Sequence, residues 1–204
     1  MEDTISGIKL SKSFYSRDLL TVAKELLGKV LVKKNPKSLF AVRIVEVEAY
    51  NGEIDKAAHS YGGKTERTKV MFNEGGYFYV YLTYGVHHCC NIVTGLEDKG
   101  TAVLIRAVEP LKGLDMMIKN RFGRKLKNDK EIINLTNGPG KICKALGINR
   151  NHSGLDLTGD KIFLLDQPKV KASEIGISKR IGITRSTNYP WRFYIKENQF
   201  LSRK

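Results

Sequence analysis

Between Glu46 and Ser60 the sequence E-V-E-A-Y-N-G-E-I-D-K-A-A-H-S gathers carboxylates, a phenol and an imidazole. If V-R-I-V-E-V-E-A-Y is a strand, Glu46, Glu48 and Tyr50 share one face and Val45, Val47 and Ala49 the other. Two carboxylates on one face could bind a metal, or one could be a general base with the other solvated. A plain polar strand face has the same spacing. His59 follows a small-residue pair in a loop, where a histidine on its own is an ordinary surface or hydrogen-bonded residue. Further on, Y-F-Y-V-Y-L-T-Y places Tyr77, Tyr79 and Tyr81 on alternate positions, suited to core packing. Tyr84 stands beside Gly85 in a turn, and an aromatic exposed there can wedge between stacked bases.

These residues sit in a chain of 204 residues with 41% hydrophobic content, enough for one domain with a substantial core. Its 35 basic and 21 acidic residues leave a net charge of +14. A surface this positive favours a polyanionic partner, nucleic acid first and anionic membrane second. No apolar run approaches the roughly 20 residues that span a bilayer, and M-E-D-T-I-S-G lacks the basic-then-apolar pattern of a signal peptide. The expectation is a soluble intracellular protein, cytoplasmic or nucleoid-associated in a bacterium, nuclear in a eukaryote, with no membrane partner. Cys89, Cys90 and Cys143 are an odd number with two adjacent, which suits reduced thiols.

The elements that must position the reactive groups can be read from patterning. Leu19, Leu20, Val22, Ala23, Leu26 and Leu27 make the apolar stripe of a helix, with Ser16 as its cap and Gly28 as its stop. K-V-L-V-K-K and L-F-A-V-R-I-V-E-V-E-A-Y read as strands joined by an N-P-K-S hairpin turn, followed by a polar loop from Asn51 to about Lys69. Y-F-Y-V-Y-L-T-Y-G-V-H-H-C-C-N-I-V-T reads as two strands bent at Gly85. T-A-V-L-I-R-A-V-E-P is a strand ended by Pro110, before a helix from about Leu111 to Phe122 and a charged surface connector, Gly123 to Glu131. L-T-N-G-P-G-K-I-C-K-A-L-G-I opens another helix, closed by Gly147. Short strands recur near K-I-F-L-L, K-A-S-E-I-G-I and W-R-F-Y-I-K. Strands adjacent in sequence, with little strand–helix alternation, predict an α+β fold with a largely antiparallel sheet.

An enzyme acting on a base within a duplex must unstack it, fill the gap, hold the base between aromatic faces and bring a catalytic group to the sugar. A carboxylate, a pocket of tyrosines, a histidine and a turn tyrosine meet that need. R-I-V-E-V-E-A-Y, A-A-H-S, M-F-x-x-G-x-x-Y-V-Y-x-x-Y-G, C-x-N-I, L-I-R-A-V-E-P and N-G-P-G-K-I-C-K-A-L closely resemble the alkyladenine (3-methyladenine, methylpurine) DNA glycosylase family, in order from about Leu10 to Tyr194. The resemblance implies a single mixed α/β domain over residues 1–204 around a curved antiparallel sheet, like the C-terminal domain of formyltransferases. It implies that Glu48 activates water to attack C1′ and that Arg106 helps place that carboxylate and water. Tyr50, His59 and Tyr81 would sandwich the flipped base, Tyr84 would enter the duplex in its place, and Asn91 would clash with the 2-amino group of normal guanine. The implied partner is double-stranded DNA carrying damaged purines (3-methyladenine, 7-methylguanine, hypoxanthine, ethenoadenine), bound by a monomer without metal or other cofactor.

The chemistry is coherent in its own terms. Glycosidic cleavage passes through an oxocarbenium-like sugar, which a carboxylate can stabilise while activating water. N3- or N7-methylation makes the purine cationic and so a good leaving group, whereas neutral lesions need protonation or a hydrogen bond. No lysine lies in the Glu48 motif, which predicts hydrolysis without Schiff-base lyase chemistry. Some positions depart from the family pattern: Val86 replaces a larger apolar residue, and His87 and His88 replace bulkier aromatics. H-H-C-C has no second ligand pair at zinc-finger spacing, so buried cysteine packing is the simpler reading. N-G-P-G-K could cradle a phosphate at a helix start, with Lys141 adding charge, or be a simple capped start. F-G-R-K-L-K reads as a solvated loop, and Lys179, Arg180 and Arg185 are better candidates for DNA backbone or pocket rim. Two other classes use the same residues: a magnesium nuclease built on Glu46, Glu48 and Asp55, and a non-enzymatic nucleic-acid binder with stacking tyrosines.

Overall fold

The computed structural model describes residues 6–36 and 38–203. Two short helices come first, α1 (Lys12–Tyr15) and α2 (Leu19–Glu25). Asp18, not Ser16, caps α2: its carboxylate accepts from the Thr21 N–H at 2.9 Å. A carboxylate there both satisfies a free N–H and complements the helix dipole. Ser16 instead closes α1, its N–H donating to the Lys12 carbonyl at 3.2 Å. The predicted stripe of α2 is buried, apart from Leu20, which packs half-buried against the core.

Eight strands form one sheet in which every pairing is antiparallel: β1 (Val30–Asn35), β2 (Ser38–Asn51), β3 (Phe78–Thr83), β4 (His87–Thr94), β5 (Thr101–Lys112), β6 (Ile162–Leu165), β7 (Ile175–Ser178) and β8 (Arg192–Ile195). The order is β3-β4-β5-β2-β1-β6, with β8 joined to β2 and β7 beyond β8. This is the α+β, mainly antiparallel architecture that the strand spacing predicts. Asn35 pairs with Ser38, closing the predicted hairpin; Lys37, within that turn, lies outside the described residues. Three further helices are α3 (Leu114–Phe122), α4 (Lys130–Ile133) and α5 (Pro139–Leu146). α4 adds one helical turn at the end of the connector read as a loop.

One sheet face carries the main core. Val47, Ala49, Phe78, Val80, Cys90, Ile92, Val103 and Ile105 pack there with Val22, Leu26, Met117, Ile142 and Leu146 of the helices. The opposite face holds a smaller cluster of Met71, Tyr79, Val93 and Ala102. The side chains of Glu48, Tyr50, Tyr81 and Asn91, out of phase with the core positions, belong to this second face.

β2 and β5 depart from simple alternation. The register runs Ile44 to Val108, Glu46 to Ala107, then Val47 to Ile105. Val45 is therefore the extra residue on β2, and Arg106 the extra residue on β5. The bulge turns Val45 away from the face of Val47 and Ala49, which it was expected to share. It packs instead with Ala107, Phe200 and Leu201, because a bulge shifts the side-chain phase by one. Another register shift, at Ala41 and Val42, lets β5 continue past Pro110 to Lys112. Proline's missing N–H is tolerated at such an irregularity, so the strand does not end there. The turn into α3 is made by Gly113 at φ +87°, where a Cβ would lie 2.6 Å from the Leu39 carbonyl oxygen.

Candidate active site

The second half of β2 carries two carboxylates into the interior; neither Glu46 nor Glu48 exposes any surface. Buried charge of this kind persists only when it is paired and hydrogen-bonded. Glu46 Oε1 accepts from Arg192 Nε at 2.8 Å, Arg106 Nε at 3.3 Å and the Ser202 hydroxyl at 2.7 Å. Its Oε2 accepts from the Ser202 N–H at 2.6 Å. Glu46 thus ties β2 to β5, β8 and the chain's last described residues.

Glu48 has a different environment. Its Oε1 accepts from the Ile181 N–H at 2.7 Å and lies 3.3 Å from Arg106 Nη1. Its Oε2 accepts from the Tyr50 hydroxyl at 2.8 Å. Burial, followed by the neighbouring Glu48 charge, pushes the Tyr50 phenol far above its ordinary range, so it stays a donor. Arg106, aimed by the bulge, touches both carboxylates at once. All three partners of Glu48 line one cavity, of about 470 Å³, while Glu48 itself lies directly behind them. That volume falls within the ~300–1,000 Å³ range of small-ligand pockets.

Aromatic rings form much of the cavity wall. Tyr79 and Tyr81 stack with centroids 5.7 Å apart, and the His59 ring stands edge-on to Tyr81 at 4.4 Å. His59 Nδ1 lies 3.2 Å from the Tyr79 hydroxyl. Desolvation, then the nearby Arg67 charge, holds the His59 imidazole below its ordinary pKa, which favours the neutral ring. The tyrosines therefore serve the cavity rather than the helix-facing core that their alternation suggested. Cys89 also lines this space, its thiol pushed up to about 11 by burial and by Cys90. Asn91 is buried beside it, its Nδ2 donating to the Tyr79 carbonyl at 3.2 Å.

At the mouth, Tyr84 is 89% exposed at the tip of the β3–β4 hairpin. Tyr84 and Gly85 both have positive φ, +48° and +68°, and the Val86 N–H donates to the Thr83 carbonyl at 3.2 Å. Primed hairpin turns require this backbone and ordinarily use Asn or Gly at both central positions. A bulky tyrosine there is a conformational outlier.

The basic candidates divide. Lys179 and Arg185 are exposed, and Arg185 lines the cavity. The Lys141 ammonium donates to the side-chain oxygens of Asn134 and Asn137. Arg180 departs from the expected rim or backbone position: its side chain is fully buried and forms a two-pronged ion pair with Asp55, also buried. Nη1 also donates to the Ala49 carbonyl at 2.9 Å and Nη2 to the Ser186 carbonyl at 3.2 Å. The guanidinium lies over the Tyr50 ring at 4.5 Å. It therefore clips together the end of β2, the loop before His59 and the 181–186 loop, leaving no free face for a phosphate.

Asp55 and Glu46, committed to arginines, do not converge with Glu48 as a metal-binding set. Among the described residues no three His, Cys, Asp or Glu side chains come together as one. In H-H-C-C, Cys90 packs in the main core and Cys89 faces the cavity; both are free thiols. Sequence reading missed Ile181, whose contribution is a backbone amide and leaves no residue signature. It also missed Arg192 and Ser202, whose meeting with Glu46 depends on contacts about 150 residues away. Among the described residues no helix is long and apolar enough to cross a membrane.

With this geometry in place, comparisons with other proteins bear on its use. A family model described as methylpurine-DNA glycosylase matches residues 13–199. A protein of Clostridium novyi is 49% identical over 202 residues, covering 96% of this chain and 99% of its own. One from Alkaliphilus oremlandii is 49% identical over 203 residues, covering 97% and 100%. One from Desulfitobacterium hafniense is 47% identical over 202 residues, covering 96% and 99%. All three carry the name "Putative 3-methyladenine DNA glycosylase".

Proposed function

The chain belongs to the methylpurine-DNA glycosylase family, and on that premise we propose that it excises alkylated or deaminated purines from double-stranded DNA by hydrolysis, as a monomer whose residues 1–204 act as one glycosylase unit. The observation that carries this reading is Glu48, held by Arg106, Tyr50 and Ile181 directly behind a tyrosine-walled cavity. The flipped purine stacks between Tyr50 on one side and Tyr81 with His59 on the other. Tyr84 fills the gap left in the duplex, and Asn91 excludes the 2-amino group of undamaged guanine.

The glycosidic bond breaks with its electron pair leaving on the purine, and the sugar takes on oxocarbenium character. Glu48 faces that developing positive charge and accepts a proton from the water that attacks C1′. The Ile181 N–H and the Tyr50 hydroxyl already donate to Glu48, with Arg106 Nη1 3.3 Å away, and a carboxylate offers about four lone-pair sites. A water that displaces the Tyr50 hydroxyl from Oε2 has the shortest route to it. Arg106 fixes the carboxylate through the exchange. Cationic 3-methyladenine and 7-methylguanine leave without protonation of the base, whereas hypoxanthine and ethenoadenine need a hydrogen bond from the pocket.

Among the described residues Lys56 is the one lysine on the cavity wall, and it is exposed rather than desolvated as a Schiff-base nucleophile requires. This exposure supports release without strand cleavage. The test is base release from duplexes carrying each lesion, with chelator present and borohydride trapping in parallel. Glu48→Gln is expected to slow release by about 10²–10⁴-fold, the usual worth of a general base, with little change in affinity for lesion duplex. Unchanged release in Glu48→Gln sinks the assignment, and loss of wild-type release in chelator moves it to a metal-dependent mechanism. A borohydride-trapped adduct ends the monofunctional reading.

A further inference from the structure

A second concavity, of about 410 Å³, lies beyond the edge of β3 and shares Tyr81 with the first. Three cations line it: Arg67, Lys69 and Arg150. Lys69 pairs with Glu66 at 2.8 Å in an exposed contact, which contributes little in water. Among the described residues neither Arg67 nor Arg150 has a carboxylate within ion-pair distance, although the chain pairs arginines at 17, 43, 106, 124, 180 and 192. Arg67 is oriented, with its guanidinium over the Tyr81 ring at 5.8 Å. The two arginines also act on a common point. Burial raises the Tyr79 phenol's pKa, and Arg67 and then Arg150 oppose the rise. Glu66, the one carboxylate among the residues on this wall, pairs with Lys69, so the two arginine charges that share the concavity keep no ion-pair partner of their own. An anion between them would relieve their repulsion, and Arg forks match phosphate oxygens.

We infer that Arg67 and Arg150 form a phosphodiester-binding site beside the base cavity, gripping the DNA backbone near the nucleotide that Tyr84 replaces. This site rests on the reading of the first cavity as a base pocket. Its position on the DNA follows from the strand. From Tyr81 to Tyr84 is three residues, roughly 10 Å at ~3.3 Å each. One DNA strand advances ~3.4 Å per phosphate along the axis, so the gripped phosphate lies within about three nucleotides of the lesion. Contacts of this kind fix register and carry no sequence information.

The test uses the full chain and a duplex with a tetrahydrofuran abasic analogue, whose binding does not depend on lesion preference. Neutral methylphosphonates replace the phosphates one at a time within three nucleotides of the analogue on each strand. Affinity is read by fluorescence anisotropy for wild type, Arg67→Ala and Arg150→Ala. Both residues are exposed, so melting temperature serves as the folding control. The expected result is one or two positions where neutralisation weakens wild type more than it weakens either variant. The log–log salt slope should fall by about 0.9 in each variant. The affinity gap to wild type then shrinks about 3.5-fold between 50 and 200 mM salt. The site is overturned if every methylphosphonate weakens the variants as much as wild type, or if the slopes match. Base release from dimethyl-sulfate-treated duplex is scored separately. A wild type that releases no base yet shows the phosphate coupling ends the glycosylase reading alone, and the reverse result ends this one.

Discussion

Arg180→Met removes one half of a fully buried ion pair. It leaves the Asp55 carboxylate in the interior with the Ala57 N–H, at 3.0 Å, as its one remaining donor among the described residues. The Ala49 and Ser186 carbonyls each lose a partner as well. Breaking a buried pair from one side costs about 3–5 kcal/mol, mostly the stranded charge. At ~2–4 °C per kcal/mol for a chain of this size, the melting temperature should fall by roughly 6–20 °C. Asp55→Leu alone should cost a similar amount. The double variant Arg180→Met/Asp55→Leu strands no charge and should recover most of the loss, since apolar replacement of a whole buried pair is often neutral. Single-turnover base release, measured below every melting point, should not recover with it. Ile181, which donates to Glu48, directly follows Arg180, and Tyr50 lies against the guanidinium. Urea melts give the stability cycle and rapid-quench assays the rate. The reasoning is refuted if either single variant loses less than about 1 kcal/mol, or if the double variant releases base at the wild-type rate.

Three further outcomes are expected. Tyr84→Gly relieves a left-handed tyrosine, so its urea midpoint should match or exceed wild type, while base release from lesion duplex falls; a large stability loss would contradict this. Asn91→Ala should raise release of unmodified guanine relative to 7-methylguanine, read from excised bases by chromatography; an unchanged ratio removes Asn91 as the discriminator. His59 is held below its ordinary pKa of 6.5, so the unfolded chain binds its proton first as pH falls. The stability difference between wild type and His59→Gln should therefore shift against wild type below about pH 6.5. An NMR titration of the His59 ring at or above 6.5 would contradict the sign.

Local physics wrote much of this molecule plainly. Period-two patterning and turn residues place the β1–β2 and β3–β4 hairpins, and a tyrosine beside a glycine marks the tip where Tyr84 emerges. Three kinds of feature stay hidden at that level. The bulge at Val45 and Arg106 carries no glycine or proline to announce it, yet it decides which face Val45 takes and where Arg106 points. Arg180 looks like surface charge in K-R-I-G-I-T-R because its partner, Asp55, is 125 residues away. Glu46 and Glu48 look equivalent in E-V-E, and only distant groups separate them: Ser202 and Arg192 enclose one, Ile181 and Tyr50 the other.

The backbone of Tyr84 has a consequence for search. Holding a tyrosine left-handed costs roughly 1–2 kcal/mol, and fixing a residue's backbone at all costs a similar amount of entropy. Folding meets both before any DNA is present. In its proposed role as a wedge, Tyr84 would reach each base step already shaped, so testing a step would require the helix to yield and ask no loop to order. Pre-organisation of this sort improves binding by lowering its cost rather than by adding contacts, and it suits a protein that must reject intact base pairs far more often than it finds a damaged one.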